Sequence, residues 1–133
     1  MKAVICERLG PPEDLVLRDI AAPPPPGPGQ VLIKVAAAGV NFPDTLIIEG
    51  RYQLRPTLPF SPGSEVAGTV AALGEGVAGL AVGQRVLALT LYGGFAEQVL
   101  ADAARVFAIP DAMPFDIAAG FALTYATGQH ALR

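Results

Sequence analysis

This 133-residue chain has one cysteine, one histidine and few charged residues, and each shortage narrows what it can be. Zinc is held by three or four side chains, chiefly Cys and His. Cys6 and His130 stand near opposite ends of the sequence, so no metal site is expected. A lone cysteine also excludes an internal disulfide. Cys6 lies in the alternating run KAVICE and reads as a small, buried strand residue rather than a reactive thiol. His130 sits in a terminal helical stretch beside no nucleophile loop, which leaves a serine-histidine-acid triad without support. The nine basic residues are scattered singly and the net charge is −3, so no positive face is available to a nucleic-acid backbone. No apolar run reaches the ~18 residues of a membrane span, and Met1 leads into a strand-like pattern with no signal-peptide core. A cytoplasmic protein that binds neither nucleic acid nor membrane is the expectation.

Apolar residues make up 52% of the chain and charged residues 16%, in a length suited to one domain with a real core. Its 15 glycines and 13 prolines predict many turns and a β-rich fold. Short β-branched runs recur between those turns: KAVICER, LVLRDI, QVLIKVAAAGV, SEVAGTVAAL, RVLALT, FAEQVLA and RVFAIP. That pattern predicts a small barrel or sandwich. The tract AAPPPPGPGQ between the second and third runs reads as a stiff, extended connection. From Pro110 the pattern becomes helical, with Asp111 as candidate N-cap and Pro114 in the first turn. Gly120 and Gly128 predict two short helices rather than one. The chain stops at Arg133 as though cut within or just after a helix.

GEGVAG, residues 74–79, matches the GxGxxG spacing that brings a backbone against a dinucleotide pyrophosphate. The motif requires a helix to follow, whereas LAVGQRVLAL reads as another strand, so a glycine-rich β-turn is expected. The polar residues fall in two segments: Asn41, Asp44, Thr45 and Tyr52 in GVNFPDTLIIEGRY, then Ser64 and Glu65 in PFSPGSEVAG. Singly, each has a structural reading, such as side-chain turns by Asn41 and Asp44 around Pro43. Together, in Gly- and Pro-rich segments that punctuate an apolar scaffold, they outline a pocket rim.

GVNFPDTLIIEGRY, LPFSPGSEVAGTV, VGQRVLAL, GGFAEQVLA and ALTYATGQHAL, in that order, resemble the N-terminal half of the zinc-free quinone oxidoreductases of the medium-chain dehydrogenase/reductase superfamily. The resemblance runs from Met1 to Arg133. In the zinc alcohol dehydrogenases of that superfamily, a cysteine aligns with Asn41 and a histidine with Ser64; acidic residues match Asp44 and Glu65, and a cysteine-rich lobe is present that this chain lacks. The resemblance thus implies a retained pocket without its metal.

It further implies a GroES-like, partly open β-barrel over residues 1–133, mainly β with short helices. The C-terminal helical segment would lead towards a Rossmann dinucleotide-binding domain absent from this chain. By resemblance, Asn41, Asp44 and Thr45 line the reacting site, while Asn41, Thr45, Tyr52, Thr124 and Thr127 approach NADPH. Phe42, Leu46, Ser64 and Glu65 form the substrate pocket. The implied activity is hydride transfer to a quinone or activated alkene, with the isolated chain inactive. An enoyl reductase acting on an enoyl thioester, and a non-catalytic GroES-like interaction module, are the alternatives. A homodimer is expected for the full-length enzyme and self-association for the chain alone.

Overall fold

The structure, a computed structural model, describes residues 1–53 and 55–120, the side chain of Phe42 excepted. Each of the seven apolar runs contains a strand: β1 (Lys2–Ile5), β2 (Val16–Asp19), β3 (Gln30–Gly39), β4 (Glu65–Leu73), β5 (Arg85–Leu89), β6 (Gln98–Asp102) and β7 (Val106–Ala108). β1 and β2 form an antiparallel ribbon. The other five form an antiparallel sheet in the order β6-β3-β4-β5-β7. The ribbon is tied to the sheet side by Val4 N–H donating to the Phe95 carbonyl at 2.8 Å and by a bridge between Cys6 and Phe60. The sheets do not close, which agrees with the partly open barrel.

Alternation along the strands builds the core on one face of the sheet. Val31 and Ile33 of β3 pack there with Val66 and Val70 of β4, Val86 and Ala88 of β5, and Val99 and Ala101 of β6. Two register shifts interrupt the β3–β4 pairing, one after Leu32 and one between Val35 and Ala37. An extra residue in one strand turns later side chains to the opposite face. Val35 therefore joins this core but so does Ala38, while Ala37 faces a second cluster with Ala67, Ile109, Ala118 and Ala119. The centre of the sheet is thus covered on both faces.

The second cluster depends on residues 109–120. Ile109 N–H donates to the Arg85 carbonyl at 3.1 Å, and the Arg85 guanidinium donates to the Met113 carbonyl at 2.6 Å while lying 3.8 Å over the Phe115 ring. Residues 115–120 are helical, starting just after Pro114. Asp111 is therefore not the N-cap that the sequence suggested. It lies in a turn closed by Met113 N–H on the Pro110 carbonyl, and Arg85 fastens that turn to β5. The expected break near Gly128 lies outside the described residues.

A helix, α1 (Phe42–Ile48), stands where the sequence offered side-chain turns by Asn41 and Asp44 as one reading. It sits on a small cluster of Cys6, Ile47, Ile48 and Phe60, with Leu15 beside it. GEGVAG joins the antiparallel strands β4 and β5 as a turn, with positive φ at Gly76 and Gly79. A side chain at Gly74 would strike the Gly27 carbonyl. Those glycines serve tight backbone geometry, and no helix follows them.

Candidate functional site

Asn41 is the N-cap of α1, with extended dihedrals of φ −125° and ψ 159°. Pro43 in the first turn has no N–H to leave unsatisfied there. Asp44, at the third helical position, reaches back so that its Oδ2 accepts from Asn41 N at 2.8 Å. In return the Asp44 N–H bonds the Asn41 main-chain carbonyl at 3.0 Å and faces the Asn41 side-chain oxygen, as in a capping box. The two residues thus hold each other within four positions of sequence.

Glu65 arrives from a distant part of the chain. It opens β4 and pairs with Gly39 at the end of β3 on one side and with Leu89 of β5 on the other. Asn41 follows Gly39 by two residues, so this pairing brings Glu65 to it: Asn41 Nδ2 stands 3.5 Å from Glu65 Oε1. Glu65 is only 1% exposed. Gly39 makes room for it, because a Cβ there would lie 2.5 Å from Glu65 Oε1 and 2.6 Å from the Ala119 carbonyl. The Ala119 carbonyl, in the helical segment after Pro114, thus lies beside the same Gly39 as the Glu65 carboxyl.

Ser64 completes the cluster. Its carbonyl accepts from Thr90 N at 2.8 Å, while the Thr90 hydroxyl donates to the Gly63 carbonyl at 2.8 Å. Gly63, at φ 108°, turns the chain where Phe95 leaves no room for a side chain. Burial raises the Asp44 carboxyl above its ordinary 3.8, and the Asn41 N–H, the Ser64 hydroxyl and the Gly63 N–H partly offset that rise. Asp44 Oδ1 and Ser64 Oγ are nonetheless both buried without a well-formed hydrogen bond.

The structure thus brings together Asn41, Asp44, Ser64 and Glu65. Thr45 and Leu46 follow on α1 and are half-buried. Tyr52 lies beyond the helix, is 38% exposed, and has no hydrogen bond to the cluster. The Phe42 side chain, Thr124 and Thr127 fall outside the described residues. Glu65 stands behind Asn41 rather than on an open wall. Thr90 and Gly63 escaped the sequence reading, since nothing local marks a residue that clamps a loop 27 positions away. A groove of about 700 Å³ lies elsewhere, along β6 and beside Met1, Ile20, Leu91 and Tyr92.

An amide and a hydroxyl stand where zinc would require thiolate or imidazole. Among the described residues, no three His, Cys, Asp or Glu side chains converge to hold a metal ion. The donor set of this cluster does not fit zinc. Residues 27–111 match the alcohol dehydrogenase GroES-like domain.

The chain belongs to the GroES-like domain family of the alcohol dehydrogenases.

Within this family, the chain is 44% identical over 112 residues to the rat synaptic vesicle membrane protein VAT-1 homolog, covering 84% of this chain and 28% of that protein. It is 41% identical over 133 residues to human quinone oxidoreductase, covering 99% of this chain and 40% of the relative. The chain therefore spans well under half the length of these relatives. Escherichia coli quinone oxidoreductase, whose structure was solved with NADPH, superposes with a TM-score of 0.92 at 30% identity, over 100% of this chain and 40% of that one. The CurK enoyl reductase superposes at 0.86 with 28% identity, over 97% of this chain and 41% of that one. The GroES-like domain and its likeness to quinone oxidoreductases agree with the motifs read from the sequence.

Proposed function

We propose that this chain is the acceptor-side domain of an NADPH-dependent, zinc-independent reductase of quinones or activated alkenes, with a Rossmann domain outside residues 1–133. The observation that carries this reading is the amide of Asn41, held by the main chain and by a buried carboxylate at the position where zinc relatives place a metal ligand. Human quinone oxidoreductase, at 41% identity, supports the acceptor class. NADPH supplies a hydride when bound. Asn41, Thr45 and Tyr52 would hold its nicotinamide end, with Thr124 and Thr127 approaching from the terminal segment. Its phosphates find no cradle among the described glycine loops, since GEGVAG forms a β-turn.

The residues of the chain act by position and by hydrogen bonding. Reduction of a conjugated carbonyl places negative charge on its oxygen, which a pre-oriented N–H stabilises without reorganisation. The Asn41 amide is the group so placed, while Asp44 fixes its backbone. Ser64 and Leu46 would bound the acceptor, with Phe42 supplying apolar wall. The complete protein would be a cytoplasmic homodimer. The likeness to CurK favours a second reading, an enoyl reductase that uses the same donor for a thioester enolate.

Acceptor profiling tests both. The protein expressed from its complete reading frame should oxidise NADPH with 1,4-benzoquinone, and the 133-residue chain alone should not. Preference for a crotonyl thioester would favour the enoyl reductase. No turnover with either acceptor would overturn the enzyme reading and favour a non-catalytic module.

A further inference from the structure

Resting on the reductase reading, we infer that Glu65 is a positioning residue that locks Asn41 as a hydrogen-bond donor, so that the site takes ligands presenting an acceptor oxygen. The amide group that faces the Glu65 carboxyl is Nδ2, which stands 3.5 Å from Oε1. The Asp44 N–H bonds the Asn41 main-chain carbonyl at 3.0 Å, and the Asn41 side-chain oxygen lies on that side in a capping-box arrangement. The Glu65 contact is the one that assigns the orientation, and the capping-box arrangement is compatible with it. With one Nδ2–H turned to Glu65 at 3.5 Å and Oδ1 turned to the helix, the second Nδ2–H remains for a ligand. Asn41 is half-buried, whereas Glu65 is 1% exposed, so it is the amide and not the acid that a ligand meets.

The consequence is selectivity by polarity. A carbonyl or enolate oxygen finds a donor already aimed, while a group that can only donate, such as an ammonium, finds no acceptor in the same place. The lock also rests on the fold beyond the local turn. Gly39 supplies the space for Glu65, with the Ala119 carbonyl beside the same glycine.

The test uses two readouts. In the 133-residue chain, ¹⁵N-edited NMR of the Asn41 side-chain amide should show one Nδ2 proton shifted downfield, and Glu65→Gln should reduce that shift while the backbone spectrum is kept. In the complete protein, Asn41→Asp retains a good N-cap but removes the donor and sets a like charge beside Glu65. It should lower benzoquinone turnover by about 100-fold and lower the thermal midpoint. Adding Glu65→Gln should restore the midpoint without restoring turnover. An Asn41 resonance indifferent to Glu65→Gln, or a double variant that regains turnover with its midpoint, would overturn the inference. A wild-type protein that shows the NMR signature but reduces no acceptor would instead sink the reductase reading and leave the lock standing.

Discussion

Glu65 and Val66 are neighbours on β4 and equally inaccessible, at 1% and 0% exposure, yet they stand in opposite chemical settings. Val66 packs among aliphatic side chains on one face of the sheet, where burying a valine contributes about 1.5–3 kcal/mol. Glu65 points to the other face, beneath the helical segment, where removing a carboxylate from water costs several kcal/mol before any partner is counted. A sheet built only for stability would place an apolar residue at both positions. The contrast separates a part of the molecule that makes the fold from a part where a buried carboxyl faces Asn41.

That separation can be broken at four places. The largest effect should come from the apolar side: Ile33→Ala, at a fully buried β3 position, should cost about 2–5 kcal/mol in urea unfolding. Turnover per folded molecule of the complete protein should stay unchanged. Gly39→Ala should cost about 1–3 kcal/mol, because its Cβ meets both Glu65 Oε1 and the Ala119 carbonyl. Hydrogen exchange should show the loss at residues 115–120 first. A neutral Gly39→Ala would mean that Glu65 is not confined as described.

Arg85→Met should come next, at about 1–3 kcal/mol. It removes the bond to the Met113 carbonyl and the stacking on Phe115, while the methionine chain keeps some packing. Differential exchange of residues 109–120 is the readout. The smallest effect belongs to Asp44→Asn and is a change of slope. Burial raises the Asp44 carboxyl above its unfolded value, so within that window the native chain holds a proton that the unfolded chain has released. Stability then falls as pH rises from the unfolded value through the folded one. Asparagine has no such loss, so unfolding free energies measured from about pH 3 to about pH 8 should vary less with pH in the variant.

Much of the fold could be read directly because antiparallel strands leave a period-two trace, and each apolar run holds a strand. α1 went unread because its seven residues are too few to show a helical period, and the β-branched pair Ile47 and Ile48 lowers helix propensity. Its start was written in the sequence all the same, as Asn41 and Asp44 at N-cap spacing with a proline between them. The candidate site divides along the same line. The Asn41–Asp44 pair is local and legible, whereas the approach of Glu65 follows from the β3–β4 register, including its shift between Val35 and Ala37. No residue type announces such a shift. The roles of Arg85 and Thr90 likewise arise only when loops close across the sheet.

The most direct test of the division is a paired measurement on Glu65→Gln in the complete protein: unfolding free energy and benzoquinone turnover in the same buffer. The account predicts stability within about 1 kcal/mol of the parent and turnover reduced by about tenfold or more, because the amide that faces the ligand loses its fixed orientation. Stability and turnover falling together, with turnover tracking only the folded fraction, would show that Glu65 serves the fold and would contradict it.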